Sequence, residues 1–98
     1  MENFRRHGIK PYNILTLHGG PGAIGELKEL SEKLGTKFGV LEYLQRESSI
    51  KELKVEIKEI INNKMKPTVK IVGFSWGAWL TILFTADYPE LVKSIILI

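Results

Sequence analysis

The chain has no cysteine, and its 98 residues include a single aspartate, Asp87, and only two histidines, His7 and His18. Without thiols there is no disulfide framework, no thiolate metal site and no cysteine nucleophile. No apolar run approaches the roughly 20 residues that a membrane-spanning helix needs. The opening Met1-Glu2-Asn3-Phe4-Arg5-Arg6-His7-Gly8 also has no apolar stretch of the signal-peptide kind. The expectation is a cytoplasmic protein with no membrane partner. Basic residues do not cluster beyond Arg5-Arg6 despite a net charge of +3, and Lys51, Lys54 and Lys58 alternate with Glu52, Glu56 and Glu59. That alternation describes a solvated helix face, whereas a nucleic-acid surface wants a basic patch with interleaved aromatics. The residue types call for no cofactor and no metal ion. What is present is an ordinary globular composition, 44% hydrophobic and 26% charged, in a length that bounds one domain at most.

Short apolar runs alternate with helical patterns. Tyr12-Asn13-Ile14-Leu15-Thr16-Leu17 is strand-like and ends at His18-Gly19-Gly20-Pro21-Gly22. Ile24, Leu27, Leu30 and Leu34 follow at helical spacing, with Gly35 as a stop. Phe38 to Leu44 read as a second strand. Ser49-Ile50-Lys51-Glu52 has the form of a capping box, opening a helix with Ile50, Leu53, Ile57 and Ile60 on one face. Thr68 to Val72 make a third strand, and Ala78 to Tyr88 a helix apolar nearly all round, which predicts burial on both sides. Val92 to Ile98 form a fourth strand. Residues 1–11 are a lead-in in which His7 is incidental, and 12–98 form the domain. Unbroken apolar strands alternating with helices predict an α/β fold: a doubly wound, mostly parallel sheet of four strands with helices on both faces.

Two turns carry chemistry. Gly73-Phe74-Ser75-Trp76-Gly77 matches G-x-S-x-G between a strand and a helix, the form of a nucleophile elbow. Ser75 would sit on a strained turn that lifts its hydroxyl above the sheet, and side chains at Gly73 or Gly77 would strike neighbouring backbone. The Trp76 amide, at the helix start, would then face a developing oxyanion. The plain alternative is an ordinary serine in a Gly-containing turn. In His18-Gly19-Gly20-Pro21-Gly22, small residues let backbone amides approach a ligand, which suits a second oxyanion donor; the plain alternative is a turn chosen for positive φ. A rival also stands here. Gly20-Pro21-Gly22-Ala23-Ile24-Gly25 is literally G-x-G-x-x-G after a strand, with Glu42 about 20 residues on, as a dinucleotide fold wants. That reading leaves the Ser75 turn unexplained, while acyl-transfer chemistry accounts for both turns.

These two motifs, with Tyr88-Pro89-Glu90-Leu91-Val92-Lys93-Ser94-Ile95-Ile96-Leu97, resemble the α/β-hydrolase superfamily from about Tyr12 onward. Pro21 and the Trp after Ser75 are similar to its proline iminopeptidase-like branch. The resemblance implies a spatial strand order second–first–third–fourth, Ser75 as the nucleophile, the Gly20 and Trp76 amides as the oxyanion hole, and His18 as part of the oxyanion loop. Gly19, Gly22, Gly73 and Gly77 shape the two turns. The implied substrate is a small ester, amide or short peptide. Where the branch usually carries Asp-Gln-Arg-Gly, this chain has Leu44-Gln45-Arg46-Glu47.

An α/β-hydrolase presents its triad in the order Ser, acid, His. After Ser75 the only acids are Asp87 and Glu90, at the far end of the helix, and no histidine follows. Removing the histidine of such a triad costs on the order of 10⁶ in turnover. The expectation is therefore an N-terminal fragment, truncated after the fourth strand and nearly inert alone. The other possibility is a non-catalytic α/β binding module. Ser94-Ile95-Ile96-Leu97-Ile98 would be an exposed apolar edge, open to self-association.

Overall fold

The computed structural model describes residues 2–20 and 23–98. In chain order it contains β1 (Phe4–His7), β2 (Tyr12–Leu17), α1 (Lys28–Leu34), β3 (Gly39–Tyr43), α2 (Ile50–Lys64), β4 (Val69–Gly73), α3 (Trp76–Asp87), a 3-10 turn (Pro89–Leu91) and β5 (Val92–Leu97). The sheet order is β1-β3-β2-β4-β5. The four expected strands are all present, mutually parallel and in the expected order, with β2 between β3 and β4.

The fifth strand is β1, antiparallel to β3, inside the stretch expected to be a lead-in. Four residues, Phe-Arg-Arg-His, show no strand periodicity that stands out. Tertiary partners make the strand: Phe4 turns into the core, while Arg5 and His7 turn to the other face and meet Glu42. His7 is therefore a structural contact and not an incidental residue.

Alternation along the strands sorts the side chains onto two faces. On one, Leu15, Leu17, Leu41, Tyr43 and Ile71 meet Leu53, Ile57 and Ile61 of α2 and Leu80 and Phe84 of α3. On the other, Ile14, Val40 and Val72 meet Leu30 and Leu34, and Thr16 hydrogen-bonds Ser31 of α1 at 2.8 Å. Helices thus cover both faces. α2 starts where its cap predicts, with Ser49 Oγ accepting the Glu52 amide at 3.1 Å. Ile50, however, stays exposed, and Ile61 takes a place on the buried stripe. α1 is shorter than its apolar spacing suggests, because turns occupy the residues from Ala23 to Leu27.

Helix α3 departs from expectation. Gly77, Leu80, Thr81 and Phe84 are buried, but Trp79 is 65% exposed, and Ile82 and Leu83 also face outward. A sheet contact shields only one side of a helix, and among the described residues nothing covers the other. β5 is likewise open along Ile95 to Leu97, as an apolar edge strand was expected to be.

Two part-buried polar contacts fix the layers. The Tyr43 hydroxyl, at the end of β3, donates to Glu56 of α2. Burial, reinforced by that carboxylate, pushes the phenol far above its usual range, so it remains a donor. On the α1 face, Glu42 has no exposed surface and accepts from Arg5 Nε at 3.1 Å and Arg5 Nη2 at 2.9 Å, with His7 Nε2 also at 2.9 Å. Burial pushes this carboxyl up, but Arg5 and His7 together outweigh it and hold it below the ordinary value.

Candidate active site

β2 and β4 are adjacent and parallel, so the turns at their C-terminal ends lie side by side. The Phe74 amide donates to the Leu17 carbonyl at 3.1 Å, tying the second turn to the first. Ser75 then takes φ 55° and ψ −115°, the only non-glycine residue at positive φ among those described. Such a conformation costs of order 1–3 kcal/mol and persists only when the surroundings impose it. The surroundings here are close backbone. A Cβ on Gly77 would collide with the Leu17 and His18 carbonyls, and one on Gly73 with Thr81 and the Gly77 backbone. Helix α3 can therefore start directly against the end of β2, leaving Ser75 exposed at its N-terminus.

Of the first amides in α3, those of Gly77 and Ala78 turn back to the Phe74 and Ser75 carbonyls. The Trp76 amide takes no acceptor among the described residues, as befits an N-terminal helix position. The first turn lies against Ser75. A Cβ on Gly19 would stand 3.3 Å from Ser75 Cβ, while nothing lies within 4 Å of the corresponding point on Gly20. Pro21 and Gly22 lie outside the described residues.

His18 is fully buried. Its Nε2 accepts the Gln45 amide at 3.0 Å, which makes Nδ1 the protonated nitrogen, and Nδ1 donates to the Gly19 carbonyl at 2.7 Å. Both ring nitrogens are thereby committed to the turn. The Gln45 side chain completes the arrangement, donating to the His18 carbonyl at 2.6 Å and accepting from Trp76 Nε1 at 3.0 Å. Gln45 thus joins the two turns. No periodicity marks it in the sequence; its signal was that it keeps the Gln where Leu44-Gln45-Arg46-Glu47 stands in place of Asp-Gln-Arg-Gly. Glu26, whose Oε1 accepts the Gly19 amide at 2.6 Å, left no signal at all.

A cleft of about 560 Å³ opens beside Trp76, floored by Ile50 and Leu53 and edged by Gln45, Arg46 and Glu47. The hydrogen bond that Glu47 shares with Glu52 lifts its carboxyl above the usual value. Asp87 sits at the other end of α3, about 18 Å along a helix rising 1.5 Å per residue, where it binds Lys54 at 2.6 Å. Among the described residues no group of three or more His, Asp or Glu could hold a metal ion. The dinucleotide alternative fails at Glu42: the carboxylate that should hold a ribose is buried under Arg5 and His7. Its helix, moreover, begins at Lys28 and not at the glycines.

The strand order, the helices on both faces and a strained serine on a strand-to-helix turn define a partial α/β-hydrolase fold. A marine microorganism esterase shares it with a TM-score of 0.83, over 96% of this chain and 40% of its own, at 26% identity. An epoxide hydrolase shares it with a TM-score of 0.81, over 96% of this chain and 36% of its own; at 20% identity that likeness bears on the fold alone. No family model matches the chain. In sequence it is 34% identical over 101 residues to the proline iminopeptidase of Lactobacillus delbrueckii subsp. bulgaricus, covering 86% of this chain and 34% of that protein. The chain is related to hydrolases of the α/β-hydrolase fold, proline iminopeptidases among them, and spans about a third of the length of the curated relatives it matches.

Proposed function

We propose that this chain supplies the nucleophile and oxyanion donors of a serine hydrolase acting on an ester or amide, short peptides included, by acyl transfer through Ser75. The observation that carries the reading is the positive φ of Ser75 on a turn packed against the Gly19–Gly20 turn. Strain of this kind has no packing benefit of its own and belongs with sites that must present a side chain.

Ser75 Oγ would attack the substrate carbonyl carbon, and the carbonyl oxygen would gather charge between the Gly20 and Trp76 amides. Each such donor contributes on the order of 10²–10³ in rate when it is aimed at the oxyanion. Collapse of the tetrahedral intermediate expels the alcohol or amine, and water then releases the acyl group. The apolar cleft beside Trp76 is placed to receive one side of the substrate. The Ser75 proton needs a base, and neither histidine of this sequence is disposed to take it. His18 is committed at both nitrogens, and His7 lies with Glu42 at the opposite edge of the sheet. The reading assigns the proton to no residue among these 98. A second reading is a binding module that kept the elbow without the chemistry.

Labelling of the protein carrying this sequence with a fluorophosphonate probe separates the two. Modification confined to Ser75 and lost in Ser75→Ala is expected for the hydrolase. An unlabelled Ser75 in an otherwise folded protein would leave the binding module standing.

A further inference from the structure

Gly19 has no side chain, so by itself it can adopt conformations closed to other residues. Two hydrogen bonds remove that freedom. Its carbonyl accepts from His18 Nδ1 at 2.7 Å, and its amide donates to Glu26 Oε1 at 2.6 Å. The carbonyl of Gly19 and the amide of Gly20 share one planar trans peptide and point in opposite directions. Holding the carbonyl on His18 therefore aims the Gly20 amide away from the imidazole, and holding the Gly19 amide on Glu26 fixes the preceding plane. With both planes set, the φ and ψ of Gly19 are set too.

On the way from Gly20 to Glu26, the Ala23 amide donates to the Gly20 carbonyl at 3.2 Å and the Glu26 amide to the Ala23 carbonyl at 3.0 Å. No cation pairs with its carboxylate among the described residues. A Cβ on Gly19 would lie 2.7 Å from Glu26 Oε1 and 3.3 Å from Ser75 Cβ, so carboxylate, glycine and serine are stacked in one place. We infer that Glu26 is a positioning residue, whose carboxylate clamps the Gly19 peptide so that the Gly20 amide faces Ser75. Its catalytic consequence rests on the serine-acylation reading; the placement of the turn does not.

The test compares Glu26→Ala and Glu26→Gln in the protein carrying this sequence, by amide NMR and by the kinetics of fluorophosphonate labelling. In Glu26→Ala the Gly19 amide proton should move upfield, the Gly20 amide should shift with it, and both should exchange faster. The labelling rate constant at saturation should fall about ten- to a hundredfold, with the probe's binding constant unchanged, because a displaced oxyanion donor acts on the transition state. Glu26→Gln keeps an acceptor for the Gly19 amide and should stay within about threefold of wild type. Unmoved Gly19 and Gly20 amides in Glu26→Ala would overturn the inference. So would a Glu26→Gln variant slowed only toward cationic probes, since the carboxylate would then be reading substrate charge. A wild-type protein that shows no labelling removes the acylation reading, while the amide shifts still decide whether Glu26 holds the turn.

Discussion

Arg5→Ala is the most informative single change outside the site, because it strips a buried carboxylate of its main partner. Glu42 has no exposed surface, and Arg5 reaches it with two nitrogens while remaining 38% exposed itself. Removing one partner of a fully buried pair costs about 3–5 kcal/mol. Solvent around Arg5 screens part of that interaction, and His7 still contacts Glu42, so a loss of about 2 kcal/mol at pH 7 is the working figure. For a domain of this size, that loss lowers the unfolding midpoint by about 8–16 °C. The pH dependence is the sharper test. In the wild type, Arg5 and His7 hold the Glu42 carboxyl below its unfolded value. Its contribution is therefore fully present above the ordinary carboxylate range and is lost as pH falls through the depressed folded value. Without Arg5, burial dominates and the folded carboxyl rises. The variant is then penalised at neutral pH, and the gap to wild type closes as pH falls. Urea unfolding followed by circular dichroism between pH 3 and 7 reads this directly. A stability difference that stays constant over that range would refute the assignment of Glu42 as a charged group held by Arg5. Glu32, whose charge Arg5 also senses, offers the control: Glu32→Gln should leave the pH dependence almost unchanged.

Two further outcomes follow from the same structure. Gln45→Ala removes the side chain that bonds the His18 carbonyl and the Trp76 indole, leaving the buried His18 carbonyl unpaired at about 1–3 kcal/mol; calorimetry should show a lowered midpoint, and labelling of Ser75 should slow. Ile96→Lys places a charge on the open β5 edge, where Ile96 is 54% exposed. Sedimentation should show association in the wild type that the variant reduces, and identical behaviour of the two would remove the edge as its cause.

The amino-acid sequence by itself determined the order of the main elements from β2 onward, the parallel pairing of four strands and the two turns above them. Unbroken apolar strands, helical spacing, the Ser49 cap and glycines at fixed offsets are local signals, and local sterics decide them. Other features depended on residues far apart in the chain. β1 exists because Phe4 finds the core and Arg5 and His7 find Glu42, more than 30 residues away. α3, apolar all round, is buried on one side only, because periodicity records what a residue prefers and not whether a neighbour is there to cover it. Gln45 and Glu26 carry no periodic pattern, and only Gln45, by matching the Gln of Asp-Gln-Arg-Gly, left any signal, since a loop side chain gains its role only when folding brings an unpaired amide or carbonyl within hydrogen-bond reach. The sequence determined which residues stand at the turn, and the tertiary structure decided which groups hold it.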